Sequence, residues 1–472
     1  MSEMDIFFNP KSVAIIGASD SYKFGYATTK YLLDSKFKTY PVNIKKKEIH
    51  GHEAYKNIKD IPDNIELAII IVGNEKVLQA VKDCIEKGVK NIIIEAAGFA
   101  ETGIERYVML QDKIAELAKN AKIRIMGPNC VGVTNFYNEF TTADMDFDNV
   151  TKGKVSVIAQ SGVLGNIFVD WAIDQGIGLS KTVTIGNKLD VDEIDLLDYL
   201  NQDSETKVII LYLEGTKRGK EFNSTLKTMK KPIIILKNGR SDIGSKAVNS
   251  HTGSLAGDDK IYDAVFSQNP GIFRVNNFYE MFNIANVFAT QPLPKGKNIA
   301  IITGSGSLGA LACDEIEKQR LNLAKLSKAT IKQIRAAIPN WVSIRGTIDL
   351  GPSLFETFIP STKAIFEDEN VDSILYIFSV PRWPLQMMGK IALNTITEHF
   401  KCVLKLVKQH QKPFVCVCFG SRWTFDFLKK TAHSCNSEFK IPLMTRIRHA
   451  IKAFKFMYEF KQSLLDGKGK GD

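Results

Sequence analysis

The chain has 472 residues, 44% of them hydrophobic and 24% charged, which is the make-up of an ordinary globular protein with material for about two to four domains. Its formal net charge of +10 comes without a long arginine-rich run, so it reads as lysine on a solvated surface, with one compact cluster at Lys45-Lys46-Lys47, and not as a nucleic-acid footprint. The seven cysteines are scattered and form no CxxC pair, which excludes a disulfide framework and points to a reducing compartment.

From the N-terminus, Met1 to Pro10 lacks a basic region followed by an apolar stretch, so no signal peptide is expected. No apolar run reaches the roughly 18 residues that span a bilayer, and a cytoplasmic protein without membrane contact is the expectation. One pattern then repeats: a short β-branched apolar run, a Gly/Ser turn and a helical stretch, the βα unit of a parallel sheet. The first copy is Ser12 to Gly17 with the turn Ala18-Ser19-Asp20. Further runs at 67–72, 90–95 and 123–126, with helical patterns at 77–87 and 105–119, predict a Rossmann-like domain over 1–145.

A second winding begins at Lys154 to Ala159 and continues through runs at 181–185, 207–213 and 232–236, predicting a flavodoxin-like open sheet over 146–292. Gln291-Pro-Leu-Pro-Lys-Gly296 has the prolines and glycine of a linker. A third winding starts at Asn298 to Thr303, with the turn Gly304-Ser-Gly-Ser-Leu-Gly309, and runs at 373–379 and 413–419 extend it to a second flavodoxin-like domain over 297–465. Cys416 and Cys418 alternate in the last of these runs and should share one face of a strand. The Gly/Lys-rich tail, 466–472, is expected to be disordered. The fold class is therefore α/β.

In such sheets ligands bind beyond the carboxyl ends of strands. The turn Gly17-Ala18-Ser19-Asp20, with Phe24-Gly25 beyond it, lets backbone N–H groups approach a phosphate, and it also fits a tight turn without a ligand. Its spacing is not GxGxxG, and Asn43 and Lys45 stand where a nicotinamide-dinucleotide enzyme would close its second strand with an acid. Lys45 could reach a nucleotide phosphate or lie solvated. The turn Gln160-Ser161-Gly162-Val163-Leu164-Gly165-Asn166 follows an apolar strand, where Ser161 can cap a helix and Gly162 leave room for an anion. In Ser250-His251-Thr252-Gly253-Ser254, the histidine stands in a predicted loop of small residues, accessible as a nucleophile for a phosphoryl group. Glu214, after Val208 to Leu213, is a carboxylate that could orient an imidazole or sit solvated at a strand terminus.

In their order, SVAIIGASD at 12–20, GFAETG at 98–103, MGPNCVGVTN at 126–135, AQSGVLGN at 159–166 and SHTGSLAG at 250–257 resemble the α subunit of ADP-forming acetyl-CoA synthetases, the NDP-forming acyl-CoA synthetases related to succinyl-CoA synthetase. The resemblance implies that His251 is the phosphorylated histidine and Glu214 its orienting carboxylate. It implies a phosphate site at Ser161, Gly162, Gly165, Gly253 and Ser254. For CoA it implies contacts from Gly17, Ala18, Ser19, Asp20, Phe24, Gly25, Lys45, Ala96, Ala97, Gly98, Asn129 and Cys130. The resemblance implies that ADP or ATP and Mg²⁺ are held mainly by a separate ATP-grasp β subunit, in an α₂β₂ assembly. The implied reaction converts acyl-CoA, phosphate and ADP reversibly to acid, CoA and ATP.

Three departures stand out. Ala96-Ala97 replaces a serine before GFAETG, Gly304-Ser-Gly-Ser307 replaces a more glycine-rich turn, and Arg345-Gly-Thr-Ile-Asp349 replaces an Asn-Pro stretch. The rival reading is a non-catalytic CoA- or nucleotide-binding regulator, which would keep the first turn but have no use for His251, Glu214 and Ser161 together.

Overall fold

Each β-branched run becomes a strand buried on both faces, which is why the runs are continuously apolar and not alternating. The chain is described by a computed structural model over residues 3–145, 147–148, 150–252, 258–340, 342–344, 347–351, 354–435 and 437–468, with the main chain alone at 249–252 and 467–468. It forms two compact units, Met1–Val275 and Asn276–Asp472.

The first unit opens with β1 (Ser12–Ile16), β2 (Lys38–Val42), β3 (Leu67–Ile70), β4 (Asn91–Ile94) and β5 (Arg124–Met126), in the order β2-β1-β3-β4-β5 and all parallel. The order reverses between β1 and β3, so a crevice opens beyond their carboxyl ends. Pro41 lies inside β2, where the sequence suggests the strand has already ended; β2 is an edge strand, where a missing N–H costs no ladder bond. Helices α1 (Tyr26–Asp34), α2 (Asn74–Lys87) and α3 (Glu105–Ala121) cover this sheet. In α2, Val77, Ala80, Val81 and Cys84 recur at helical spacing and are buried, and Gly88 ends the helix with a left-handed φ of 89°.

A seven-stranded sheet follows. Its strands are β6 (Gly132–Asn135), β7 (Phe140–Thr141), β8 (Lys152–Ala159), β9 (Leu179–Thr184), β10 (Val208–Leu213), β11 (Ile233–Lys237) and β12 (Ile272–Arg274), in the order β12-β11-β10-β8-β9-β6-β7. The core strands are parallel, while β6 pairs antiparallel with β9 and β7 antiparallel with β6. The strands at 132–141 thus belong to this sheet and not to the first. Here the order reverses at β8, between β9 and β10. Helix α4 (Gly162–Gln175) leaves β8, α5 (Glu193–Gln202) starts in a capping box from Asp192, and α6 (Asp242–Thr252) precedes β12.

In the second unit β13 (Asn298–Thr303), β14 (Asn322–Leu323), β15 (Ile348–Asp349), β16 (Ser373–Phe378), β17 (Phe414–Cys418) and β18 (Leu443–Met444) form a parallel sheet in the order β14-β13-β16-β17-β18, with β15 also pairing β13. Cys416 and Cys418 are buried in one cluster on a single face of β17. The proline-bearing stretch after α7 (Phe278–Thr290) is anchored: Gln291 is fully buried, and its amide accepts from Phe414 N at 2.8 Å and donates to Lys440 O at 2.5 Å. The last helix, α8 (Ile447–Lys468), runs through residues 466–468, expected to be disordered; an amphipathic stretch that packs on α7 carries the helix past the last buried turn. Residues 469–472, Arg345 and Gly346 lie outside the described residues. No described helix is long and apolar enough to cross a membrane.

Candidate active site

Both crevices in the first unit are lined by residues singled out in the sequence. Beyond β1 and β3 lies a cavity of about 560 Å³ that includes Gly17, Asn43, Lys45, Val72 and Gly73 in its wall. Gly17 has a φ of 97°, and a Cβ there would stand 2.2 Å from Ile71 O, so only glycine lets the end of β1 pass beneath the loop after β3. Ala18 is fully buried, and its carbonyl accepts from Asn43 Nδ2 at 2.8 Å. Asn43 Oδ1 in turn accepts from Lys45 N at 2.8 Å and Lys46 N at 3.1 Å, an Asx turn that presents the lysines beside the cavity. Ser19 Oγ accepts from Ser21 N at 3.1 Å. Asp20 is paired with Lys46, whose hydrogen bond holds its carboxyl below the usual range, so Asp20 serves to fix a lysine and would repel an anion placed directly on it. Gly25, with a φ of 83°, begins α1; its Cβ would stand 2.6 Å from Ile71 Cγ2.

The second cavity, about 300 Å³, joins the two sheets of this unit. Phe24, Ala97, Asn129 and Cys130 line it from the first sheet's loops, and Gln160, Ser161, Gly162 and Glu214 from beyond β8 and β10. Ser161 occupies the N-cap position of α4 but makes no side-chain capping bond, which leaves its hydroxyl and the first N–H groups of the helix beside the cavity. Gly162 faces Val131, whose Cγ2 would be 3.0 Å from a Cβ. Gly165 has a different role: its Cβ would stand 2.3 Å from Thr184 Cγ2, so it lets α4 pack closely on β9.

Glu214 is 4% exposed, which removes the solvated reading of a strand terminus. Its backbone N–H and that of Gly215 donate to Gln160 Oε1 at 2.9 and 3.2 Å, and Tyr212 Oη–H donates to Glu214 Oε1 at 3.4 Å. Burial, reinforced by Glu214, pushes Tyr212 up to about 12, so the phenol stays a donor. Below this loop Lys188 and Glu193, both buried, pair at 3.0 Å, and Lys188 Nζ also donates to Gly215 O at 2.5 Å. A carboxylate held this firmly can orient an imidazole.

His251 was expected in a loop. It is instead the penultimate residue of α6, whose first turn is capped by Ser241 Oγ accepting from Gly244 N at 3.1 Å. The small residues around His251 suggest a loop, but helix propagation from this cap carries through residues 250–252. The helix packs beside the turn Ala100–Thr102 of the GFAETG segment. Gly253 and Ser254 lie outside the described residues.

Around the loop at 96–98, Ala96 is buried and its carbonyl accepts from Asn129 N at 2.9 Å. Gly98 has a φ of 96° and donates through its N–H to Glu101 Oε1 at 2.6 Å. Asn187 ties this loop to the second sheet by donating to Glu101 Oε2 at 2.6 Å and to Gln111 Oε1 at 2.9 Å. Asn129 has a left-handed φ of 59°. Cys130 donates to Ile94 O at 3.4 Å and burial pushes its thiol well up, which makes it inert wall and not a nucleophile. Sequence reasoning names Gln160 only as the start of its turn, and it missed Asn187 and a further wall residue, Glu95. Glu95 carries the same signal as Glu214, a carboxylate just past an apolar run.

Residues 11–135 match the CoA binding domain and residues 152–288 the succinyl-CoA ligase like flavodoxin domain. The solved structure of Ca. Korarchaeum cryptofilum dinucleotide forming acetyl-coenzyme A synthetase 1, in complex with phosphate and ADP, superposes with a TM-score of 0.87 at 27% identity over 100% of both chains. Fold and domains thus define an NDP-forming acyl-CoA synthetase. The acetate–CoA ligase [ADP-forming] II subunit alpha of Pyrococcus furiosus is 42% identical over 414 residues, 86% of this chain and 87% of that one. The acetate–CoA ligase [ADP-forming] of Methanocaldococcus jannaschii is 43% identical over 353 residues, 74% of this chain and 49% of its own length. The chain belongs to the family of ADP-forming acetate–CoA ligase α subunits. Nothing in these likenesses supports a non-catalytic regulator.

Proposed function

We propose that this α subunit carries out acyl transfer between CoA and phosphate and then takes the phosphoryl group onto His251. The observation that carries the reading is the cavity of about 300 Å³, whose wall combines the loops assigned to CoA with Ser161, Gly162 and Glu214. CoA would lie along the larger cavity, its phosphates near the N–H groups after β1 and the cation of Lys45, with its sulfur toward the smaller one. Phosphate would rest at the start of α4. Its oxygen attacks the thioester carbon and the C–S bond breaks, giving acyl phosphate and CoA. A ring nitrogen of His251 then attacks phosphorus, and the acid leaves. Glu214 stabilises the charge that develops on the imidazole.

The phosphoryl group would pass to ADP, with Mg²⁺, on a separate ATP-grasp β chain, in an α₂β₂ assembly. The α-subunit naming of the Pyrococcus relative supports such a partner, as does the longer single chain of the Methanocaldococcus relative. The chain is read as a CoA-binding domain over 1–145, whose last strands β6 and β7 are bonded into the next sheet, and two ligase domains over 146–292 and 297–465, in a cytoplasmic enzyme.

The test is incubation of the chain and its β partner with labelled phosphate and acetyl-CoA. Label should appear on the wild-type chain as an acid-labile, base-stable adduct and be absent from His251→Ala, which should still bind CoA. Acid-stable label, or label that persists in His251→Ala, would overturn the assignment.

A further inference from the structure

The smaller cavity has a second carboxyl in its wall, Glu95, directly after β4. Its backbone N–H donates to Ile70 O at 3.2 Å, which extends the ladder one residue beyond the strand and fixes the main chain. The residue is 4% exposed, and its Oε1 is buried without a hydrogen-bond partner among the described residues. A buried oxygen of this kind costs free energy unless a ligand or water satisfies it.

The groups that face Glu95 offer it no cation. Cys130, after β5, brings a thiol already bonded to Ile94 O; Asp144, after β7, brings a negative charge; Glu214 stands after β10 in the same cavity. No lysine or arginine lines this cavity among the described residues. Burial, with the charge of Asp144 second, holds the Glu95 carboxyl well above the usual carboxylate range.

Resting on the acyl-transfer reading above, we propose that Glu95 is a further catalytic residue, the acid that protonates the departing CoA sulfur and the base that takes the proton back in the reverse direction. As a phosphate oxygen bonds to the acyl carbon, the C–S bond breaks and its electron pair stays on sulfur. The Glu95 proton passes to that sulfur and leaves a carboxylate. In reverse the carboxylate takes the S–H proton, sulfur attacks the carbonyl carbon of the acyl phosphate, and the C–O pair leaves with phosphate. A thiol has a pKa of about 8.5, far above an ordinary carboxyl, so a carboxyl raised by burial matches it better for proton transfer. Glu214 is engaged by Tyr212 and Cys130 by Ile94 O, whereas Glu95 keeps a buried oxygen without a partner among the described residues.

The test uses the α chain with its β partner, as wild type, Glu95→Gln and Glu95→Asp, and two assays: thioester formation from acetyl phosphate and CoA, and phosphoenzyme formation from ATP, which needs no thiol. Glu95→Gln should slow thioester formation by about 10²–10³-fold near neutral pH, within the range for a lost general base. It should leave ATP-dependent labelling unchanged. The defect should shrink as pH rises past the thiol value of about 8.5, where thiolate forms unaided. Glu95→Asp should show a smaller defect than Glu95→Gln, shrinking in the same way as pH rises; it supplies the answer if the glutamine variant does not fold. A defect that is equal at neutral and alkaline pH, no defect, or loss of ATP-dependent labelling in a folded variant would overturn the proposal. Absence of ATP-dependent label on the wild type would instead sink the phosphohistidine reading.

Discussion

Gly17 and Glu214 are single residues whose surroundings decide what they can do. At Gly17 a side chain would need both a left-handed φ of 97° and space already filled by Ile71 O. Gly17→Val should therefore move the loop that faces the larger cavity, at a cost of about 1–3 kcal/mol for the backbone strain alone. CoA binding measured by calorimetry on the folded variant should be lost, and unchanged affinity would mean that CoA uses another loop. Glu214→Gln keeps the shape but not the charge, and the rate of phosphoenzyme formation should fall by roughly 10²–10⁴-fold while CoA affinity stays constant; a rate within error of wild type would remove Glu214 from the mechanism. The position of Glu214 at a strand end was legible because the apolar run before it stops abruptly. Glu95 had the same mark and went unread, because what sets it apart is burial among neighbours 35 or more residues away in sequence, such as Cys130. No local pattern contains that information.

At the scale of elements, strands and their turns were legible because a buried parallel strand must be apolar throughout. The end of α6 was not: SHTGSLAG has the composition of a loop, and the helical conformation of its residues 250–252 depends on the cap at Ser241 upstream. Strand pairing was also illegible, since β6 and β7 are short and β9, the partner of β6, lies more than 40 residues further on. The strand β11 carries a testable oddity. It ends in Lys237, which is 1% exposed with Nζ 4.7 Å from the Tyr262 ring centre. Burial pushes this lysine down to about 8, against about 10.4 in an unfolded chain. Between those values the unfolded state binds more protons, so this group makes the folded state more stable as pH rises from about 8 toward 10.4 and less stable below. Lys237→Met should raise the urea midpoint at neutral pH, and the advantage should fade as pH climbs through that window. A difference that stays constant with pH would show that Lys237 is charged in the fold to the same extent as outside it.

At the scale of the whole molecule, the chain should bind CoA by itself and yet make no ATP from acetyl-CoA, phosphate and ADP until an ATP-grasp chain is added, because the nucleotide site is assigned to the partner. Steady turnover by the homogeneous chain would refute this division of labour. The antiparallel pair β6–β7 has another consequence. Though it directly follows the last strand of the first sheet, it is hydrogen-bonded into the second, with Thr182 paired to Thr134 and Thr134 to Thr141. Residues beside this pair accept from α1 of the first sheet, Thr142 O from Thr28 Oγ1 at 2.8 Å and Glu139 O from Tyr31 Oη at 2.6 Å, so a pulling force applied at residues 12 and 274 would meet these bonds before it could draw the two sheets apart. The first unit should therefore give way under tension in one rupture, and not as two beads released in turn.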